Sequence, residues 1–222
     1  MDTDYMKTFK AALFDLDGVV FNTEPQYTLF WGSMFRKYYP CTEGMEQRIK
    51  GQTLVWIYDT YFKDMPQAQA DITAALDEFE RNMEFEYVRG LVGFVRGLRA
   101  NGVRTAIVTS SNRAKMQSVY TRRPEIRGLF DEILTSEDFS ESKPSPECYL
   151  TAAARFGAGC GECVVFEDSF NGLKSGRAAG MTVVGLSTTN GASMISPLAD
   201  IVIADYGETD YEKIHALVSA SH

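Results

Sequence analysis

Phe14-Asp15-Leu16-Asp17-Gly18-Val19-Val20 is the stretch on which the reading of this chain turns. Ahead of it runs Phe9-Lys10-Ala11-Ala12-Leu13, short and mostly apolar, the pattern of a buried strand. Side chains alternate along a strand, so positions two apart share a side. Asp15 and Asp17 are therefore expected on one side of the strand's C-terminal end. So much negative charge in one place is costly until a cation or a proton settles it. Gly18 lets the chain turn away sharply and keeps the mouth of the site open.

Outward from this stretch, the pattern over 23–87 is helical. A helix is predicted over 25–39, with Pro25 in its first turn. Its stripe of Tyr27, Phe30, Trp31, Met34, Phe35 and Tyr38 has the three- and four-residue spacing of a packing face. A loop at Lys50-Gly51-Gln52-Thr53 precedes helices predicted over 54–62 and 66–85. From Gly90 the rhythm changes. Helices are predicted over 91–100, 114–120, 145–156, 172–179 and 211–219, and strands over 103–108, 130–134, 163–166, 182–186 and 201–203. Apolar strands alternating with helices predict an α/β fold, a Rossmann-like parallel sheet covered on both faces. A structureless loop as long as 23–87 is improbable, so this segment is expected to be an all-helical subdomain. It would be inserted into a core made of 1–22 and 88–222. There is no internal repeat and no low-complexity segment.

The 222 residues are 45% hydrophobic and 23% charged, an ordinary globular balance, with a net charge of -8. An acidic chain is a poor match for nucleic acid. No run approaches the ~20 apolar residues of a membrane span. Met1-Asp2-Thr3-Asp4-Tyr5 carries acids where a secretory signal needs bases, so a cytoplasmic location is expected. The cysteines are Cys41, Cys148, Cys160 and Cys163, and Cys160-Gly-Glu-Cys163 lacks the second pair or helix start of a zinc or redox site. Free thiols are expected. Only His215 and His222 could serve histidine chemistry, and both lie near the C-terminal end.

Ligands of open parallel sheets bind beyond the strands' C-terminal ends. Beyond the strand over 103–108 come Thr109, Ser110, Ser111 and Asn112, which suit phosphate oxygens or a helix cap equally well. Further on come Ser142-Lys143-Pro144, then Glu167-Asp168-Ser169. Alone, Lys143 could be a solvated lysine and the acids ordinary loop residues. In this order, each just beyond a strand, they converge on one site.

These four segments, with Phe166-Glu167-Asp168-Ser169-Phe170-Asn171-Gly172 as the last, resemble the motifs of the haloacid dehalogenase-like hydrolase superfamily. The insert directly after the first motif is similar to the beta-phosphoglucomutase-like branch, in which it forms a helical cap hinged here near 21–23 and 87–89. The resemblance implies Asp15 as a nucleophile that forms an aspartyl-phosphate and Asp17 as the general acid and base. It implies Thr109, Ser110 and Lys143 as phosphate binders. Magnesium would be held by Asp15, Asp168 and the backbone carbonyl of Asp17, with Glu167 assisting. Lys50, Gly51 and Gln52 of the cap would touch substrate, or merely form a turn. In the mutase the cap loop carries an arginine for a second phosphate and the first cap helix a histidine. Here Leu54 takes the arginine's place and Gln26 or Tyr27 the histidine's. The expected enzyme is thus a magnesium-dependent phosphatase, a monomer acting on a small phosphorylated metabolite. The alternatives are a beta-phosphoglucomutase and, more remotely, a non-catalytic phosphate sensor.

Overall fold

The computed structural model describes residues 9–220. Met1-Asp2-Thr3-Asp4-Tyr5 and His222, on which two of the expectations above rest, lie outside them. The chain opens with β1 (Ala11–Phe14), then α1 (Glu24–Tyr38), α2 (Met45–Arg48), α3 (Leu54–Tyr61) and α4 (Pro66–Asn82). It continues through α5 (Leu91–Ala100), β2 (Arg104–Val108), α6 (Arg113–Arg122), α7 (Ile126–Leu129), β3 (Glu132–Leu134) and α8 (Glu147–Phe156). It ends with β4 (Cys163–Glu167), α9 (Phe170–Ala178), β5 (Thr182–Leu186), α10 (Ala192–Ile195), β6 (Ile201–Ile203) and α11 (Tyr211–Ala220). Every strand pairing is parallel, in the order β3-β2-β1-β4-β5-β6. The α/β expectation is met.

Strand alternation divides the core in two. Ala12 and Phe14 of β1 enter a cluster with Phe94, Phe166 and Tyr206. Ala11 and Leu13 face the opposite cluster, with Val165, Tyr149 and Leu173. Both faces are thus sealed by helices, which is why these strands read as continuous apolar runs. Phe14 stacks on Phe166 with centroids 4.4 Å apart, fixing the register of the central pair. The chain steps outward from β1 through β2 to β3, then crosses back to place β4 on the other side of β1. This is the strand-order reversal at which such sheets leave a crevice.

Helices α1 to α4 bury a core of their own, made of Phe30, Trp31, Phe35, Ile57, Phe62 and Ile72 among others. The aromatic stripe of α1 is therefore packing for most of its length. Two crossings join this helical unit to the sheet side by side: Asn22 N–H donates to Glu86 O at 2.8 Å and Val88 N–H to Val20 O at 3.0 Å.

Several local expectations are corrected. Strand β1 ends at Phe14, so Asp15 and Asp17 lie in the turn beyond it and need not share a side. Helix α4 stops at Asn82, where Met83 turns extended. Helix α9 begins at Phe170, because the Ser169 side chain accepts the Gly172 N–H and caps it. The four-residue helices α2, α7 and α10 are too short to show a period in sequence. Among the described residues, no helix is long and apolar enough to cross a membrane.

Candidate active site

Asp15 is the first residue past β1, placed by its N–H bond to Phe166 O at 3.0 Å. Its Oδ1 accepts from Lys143 Nζ at 2.6 Å and its Oδ2 from the Asp17 N–H at 3.1 Å. Lys143 is 6% exposed, and its ammonium also donates to Glu167 Oε1 at 2.7 Å and Val108 O at 3.0 Å. The three partners come from the ends of β1, β2 and β4. Burial works against the Lys143 charge, but Asp15 and Glu167 overcome it and hold the amine well above its ordinary range. The sequence-level possibility of a solvated lysine is excluded.

Glu167 is fully buried and its carboxylate is saturated. Oε1 takes Lys143 and the Tyr149 hydroxyl at 2.8 Å, while Oε2 takes the Asp168 N–H, the Ser169 N–H and the Ser169 hydroxyl. Gly172 makes room for it, since a Cβ there would lie 1.8 Å from the Glu167 carboxyl carbon. Asp168 accepts from the Thr189 hydroxyl, and its carbonyl accepts from Asn190 at 3.0 Å. Gly18, at φ +74°, is required twice over: by its backbone, and because a Cβ would stand 1.9 Å from Asp168 Oδ2.

Oxygens of Asp15, Glu167 and Asp168 lie within 4.8 Å of one another. Burial, against the opposing pull of Lys143, raises Asp15 to about 7. Burial and then Glu167 and Asp15 push Asp168 well above the carboxylate range. Two buried acids and the partly buried Asp15 thus gather at one ammonium, which pairs with Asp15 and Glu167. The hard oxygen donors and the uncompensated charge fit a small divalent cation such as magnesium. The Asp17 carboxylate stands outside this group. This corrects the expectation of both aspartate side chains on one side, and it leaves the Asp17 carboxylate out of the candidate metal ligands.

The Asp17 side chain turns the other way. Oδ1 accepts from the Thr23 hydroxyl at 2.7 Å, and Oδ2 from Lys115 Nζ at 2.5 Å and the Ser111 hydroxyl at 3.2 Å. Thr109 is buried with its Oγ1 accepting the Ser111 N–H at 3.0 Å, and exposed Ser110 lines the same cavity. That cavity is about 520 Å³ and lies between the strand ends and the helical unit. Lys50, Gly51 and Gln52 line it from the helical side. Asn171 ties this loop to the sheet, donating to Gly51 O at 3.1 Å and Gln52 Oε1 at 3.4 Å. Glu24, Glu46, Asp77 and Glu80 also line the helical side. Burial, with Asp17 adding to it, raises Glu24 to about 7.

Sequence reasoning missed Lys115, Tyr27, Thr23, Tyr149, Thr189 and Asn190. Tyr27 belongs to the packing stripe of α1, but its hydroxyl reaches Lys115 at 2.6 Å. Nothing in the spacing of Lys115 marks it, since it is one basic residue in a polar helix. Gln26 binds the backbone of Glu84 at 2.8 Å. The cysteines are free, and burial pushes the Cys163 thiol up to about 12, as an inert thiol requires.

Residues 9–180 match the sequence profile described as haloacid dehalogenase-like hydrolase. The validoxylamine A 7'-phosphate phosphatase of Streptomyces hygroscopicus subsp. limoneus is 28% identical over 93% of this chain and 98% of its own. The bifunctional riboflavin kinase/FMN phosphatase of Arabidopsis thaliana is 29% identical over 93% of this chain, which spans 58% of that longer protein. The fructose-1-phosphate phosphatase of Escherichia coli is 26% identical over 79% of this chain and 95% of its own. The fold is shared with a HAD hydrolase, family IA, variant 3, from Entamoeba histolytica, at a TM-score of 0.82 and 20% identity, covering 94% of this chain and 99% of that one. It is also shared with a HAD family hydrolase from Deinococcus radiodurans R1 solved with bound phosphate and sodium, at a TM-score of 0.69 and 26% identity, covering 97% of each chain.

Proposed function

Because the chain belongs to the haloacid dehalogenase-like hydrolase family, we propose that it is a magnesium-dependent phosphatase of small phosphate monoesters that works through an aspartyl-phosphate. The observation that carries this reading is the Lys143 ammonium, held between Asp15 and Glu167 at 2.6 and 2.7 Å while Asp17 is fixed separately. Two neighbouring carboxylates with different partners are suited to different tasks.

Asp15, the less occupied of the two, attacks phosphorus as its P–O ester bond breaks, and Asp17 gives the leaving oxygen a proton. Water then attacks the phosphorus of the aspartyl-phosphate and yields its proton to Asp17. The bond to Asp15 breaks, and inorganic phosphate leaves. Two like charges ~4 Å apart repel by about 4 kcal/mol at an effective dielectric near 20. Lys143, with Thr109, Ser110 and nearby backbone N–H groups, offsets this on the protein side. Asp15, Asp168 and the Asp17 carbonyl, with Glu167 behind them, would hold magnesium, which when bound neutralises phosphoryl charge and orients the ester.

The helical side of the cavity favours phosphatase over mutase. Glu24, Glu46, Asp77 and Glu80 line it, and Lys50 is the one cation among its described lining residues. A second phosphate there would meet net negative charge. Gln26 is committed to Glu84 and Tyr27 to Lys115, so neither is free for a mutase histidine's work. The fitting substrate has one phosphate on an otherwise neutral or cationic, hydroxyl-rich body. Three relatives are named for phosphatase activity on single metabolites, which supports this class. The net charge of -8 supports a partner that is neither nucleic acid nor an anionic membrane. We place the protein in the cytoplasm as a monomer, with residues 23–87 as its cap on a core of 1–22 and 88–222.

The test is 4-nitrophenyl phosphate hydrolysis with magnesium and with excess chelator, beside beta-glucose 1-phosphate followed for both products. Magnesium-dependent phosphate release is expected. Glucose 6-phosphate accumulating without free phosphate would establish the mutase instead.

A further inference from the structure

Lys115 is left unexplained by the metal group and by every motif. It is in the first turn of α6, and its side chain is 3% exposed. A desolvated ammonium needs partners for its protons. It has Asp17 Oδ2 at 2.5 Å and the Tyr27 hydroxyl oxygen at 2.6 Å. Tyr27 in turn donates to Glu80 Oε1 at 2.7 Å. One line of contacts therefore runs from the Asp17 carboxylate through an ammonium and a phenol to a carboxylate on α4. The first two members belong to the sheet domain and the last two to the helical unit.

The surroundings keep this line in place. Helix α6 packs on α4, where Arg122 pairs with Glu84 at 3.0 Å and Arg123 Nε donates to Phe85 O at 2.6 Å. Those contacts lie at the far end of α6, whereas Lys115 is sealed at the cavity end. Across the Asp17 carboxylate, Thr23 holds the other oxygen at 2.7 Å. A carboxyl group held from both sides is fixed in orientation, and proton transfer depends on such alignment.

Resting on the phosphatase reading, we infer that Lys115 is a positioning residue for Asp17, and that Tyr27 and Glu80 make its hold depend on the helical unit being seated against α6. Lys115 aims the general acid, and the cap completes the aim when it closes.

The test uses two substrates of the same shape. 4-Nitrophenolate departs without a proton, whereas phenolate from phenyl phosphate needs one. The ratio of their kcat/KM values therefore reports the alignment of Asp17 in the step that expels the phenol. K115M is expected to lower kcat/KM for phenyl phosphate by about 30-fold or more, within the range of a general-acid effect, and for 4-nitrophenyl phosphate by less than about 5-fold. K115R is expected to recover part of the phenyl phosphate loss. Y27F, which removes one acceptor of the ammonium, is expected to shift the ratio in the same direction by about 3-fold. It supplies the discrimination if K115M proves unfolded by circular dichroism. Equal losses on both esters in K115M, or an unchanged ratio in Y27F, would overturn the inference while leaving the phosphatase reading intact. A wild-type protein inert to both esters would overturn both.

Discussion

The crevice at the ends of β1, β2 and β4 and the helical face opposite it are built on different terms. In the crevice, position comes from strand register, and one ammonium is held at the centre: Lys143 reaches Asp15, Glu167 and Val108 O within 2.6 to 3.0 Å. The helical face carries Glu24, Glu46, Asp77 and Glu80 with Lys50, and meets the sheet side through a few contacts at Lys115, Asn171 and α6. The difference assigns tasks. On the proposed mechanism the sheet side would perform chemistry common to any phosphate ester, and the helical side would decide which ester is admitted and when Asp17 is aligned.

The sharpest way to break that division is Asp15→Asn. It keeps the shape of the crevice and removes the attacking oxygen's charge, so kcat for 4-nitrophenyl phosphate is expected to fall about 10³-fold or more in steady-state assays. Lys143→Met follows. It leaves Glu167 and Asp15 without their shared cation, and breaking a buried pair in this way costs about 3 kcal/mol or more. Urea unfolding should show that loss together with a large fall in kcat. An equally stable K143M would mean that Lys143 does not offset Asp15 and Glu167 as described.

Helical-side changes should be smaller and act on binding. Gly51, at φ +71°, faces Ser169, and a Cβ there would lie 2.9 Å from the Ser169 Cβ. Backbone strain of about 1–2 kcal/mol is expected in Gly51→Ala, enough to raise KM roughly 10-fold with kcat less affected. Glu24→Gln should leave a pH signature. Wild-type Glu24 is raised from 4.5 to about 7, so ionising it opposes folding. That penalty is absent below pH 4.5, grows as pH rises, and is complete above about 7. The variant should therefore be the more stable protein above pH 7, by about 3 kcal/mol, and match wild type near pH 4.5. Thermal melts across that range check the sign.

The two sides were also unequally legible in the sequence. The sheet declared itself because each strand is an apolar run closed by polar residues or glycine. Its candidate residues were legible because Asp15, Thr109 and Asp168 directly follow strand ends and Lys143 lies in the loop beyond β3. The direction of Asp17 was not legible, since the chain has left the strand by then and Thr23, Ser111 and Lys115 turn the carboxylate. Lys115 and Tyr27 are 88 positions apart and meet only in the folded chain. No period or motif marks such a pair. Tyr27 reads as packing because three-residue spacing describes where a ring lies, not where its hydroxyl ends.

The central claim is that an Asp15 oxygen takes the phosphoryl group. Asp17→Asn offers the most direct measurement. With 4-nitrophenyl phosphate the first transfer needs no proton, while attack by water loses its base, so the phosphorylated enzyme should accumulate. Mass spectrometry of acid-quenched protein is predicted to find one phosphoryl group on the peptide carrying Asp15. Turnover with no such group, or with the group on another residue, would contradict the account.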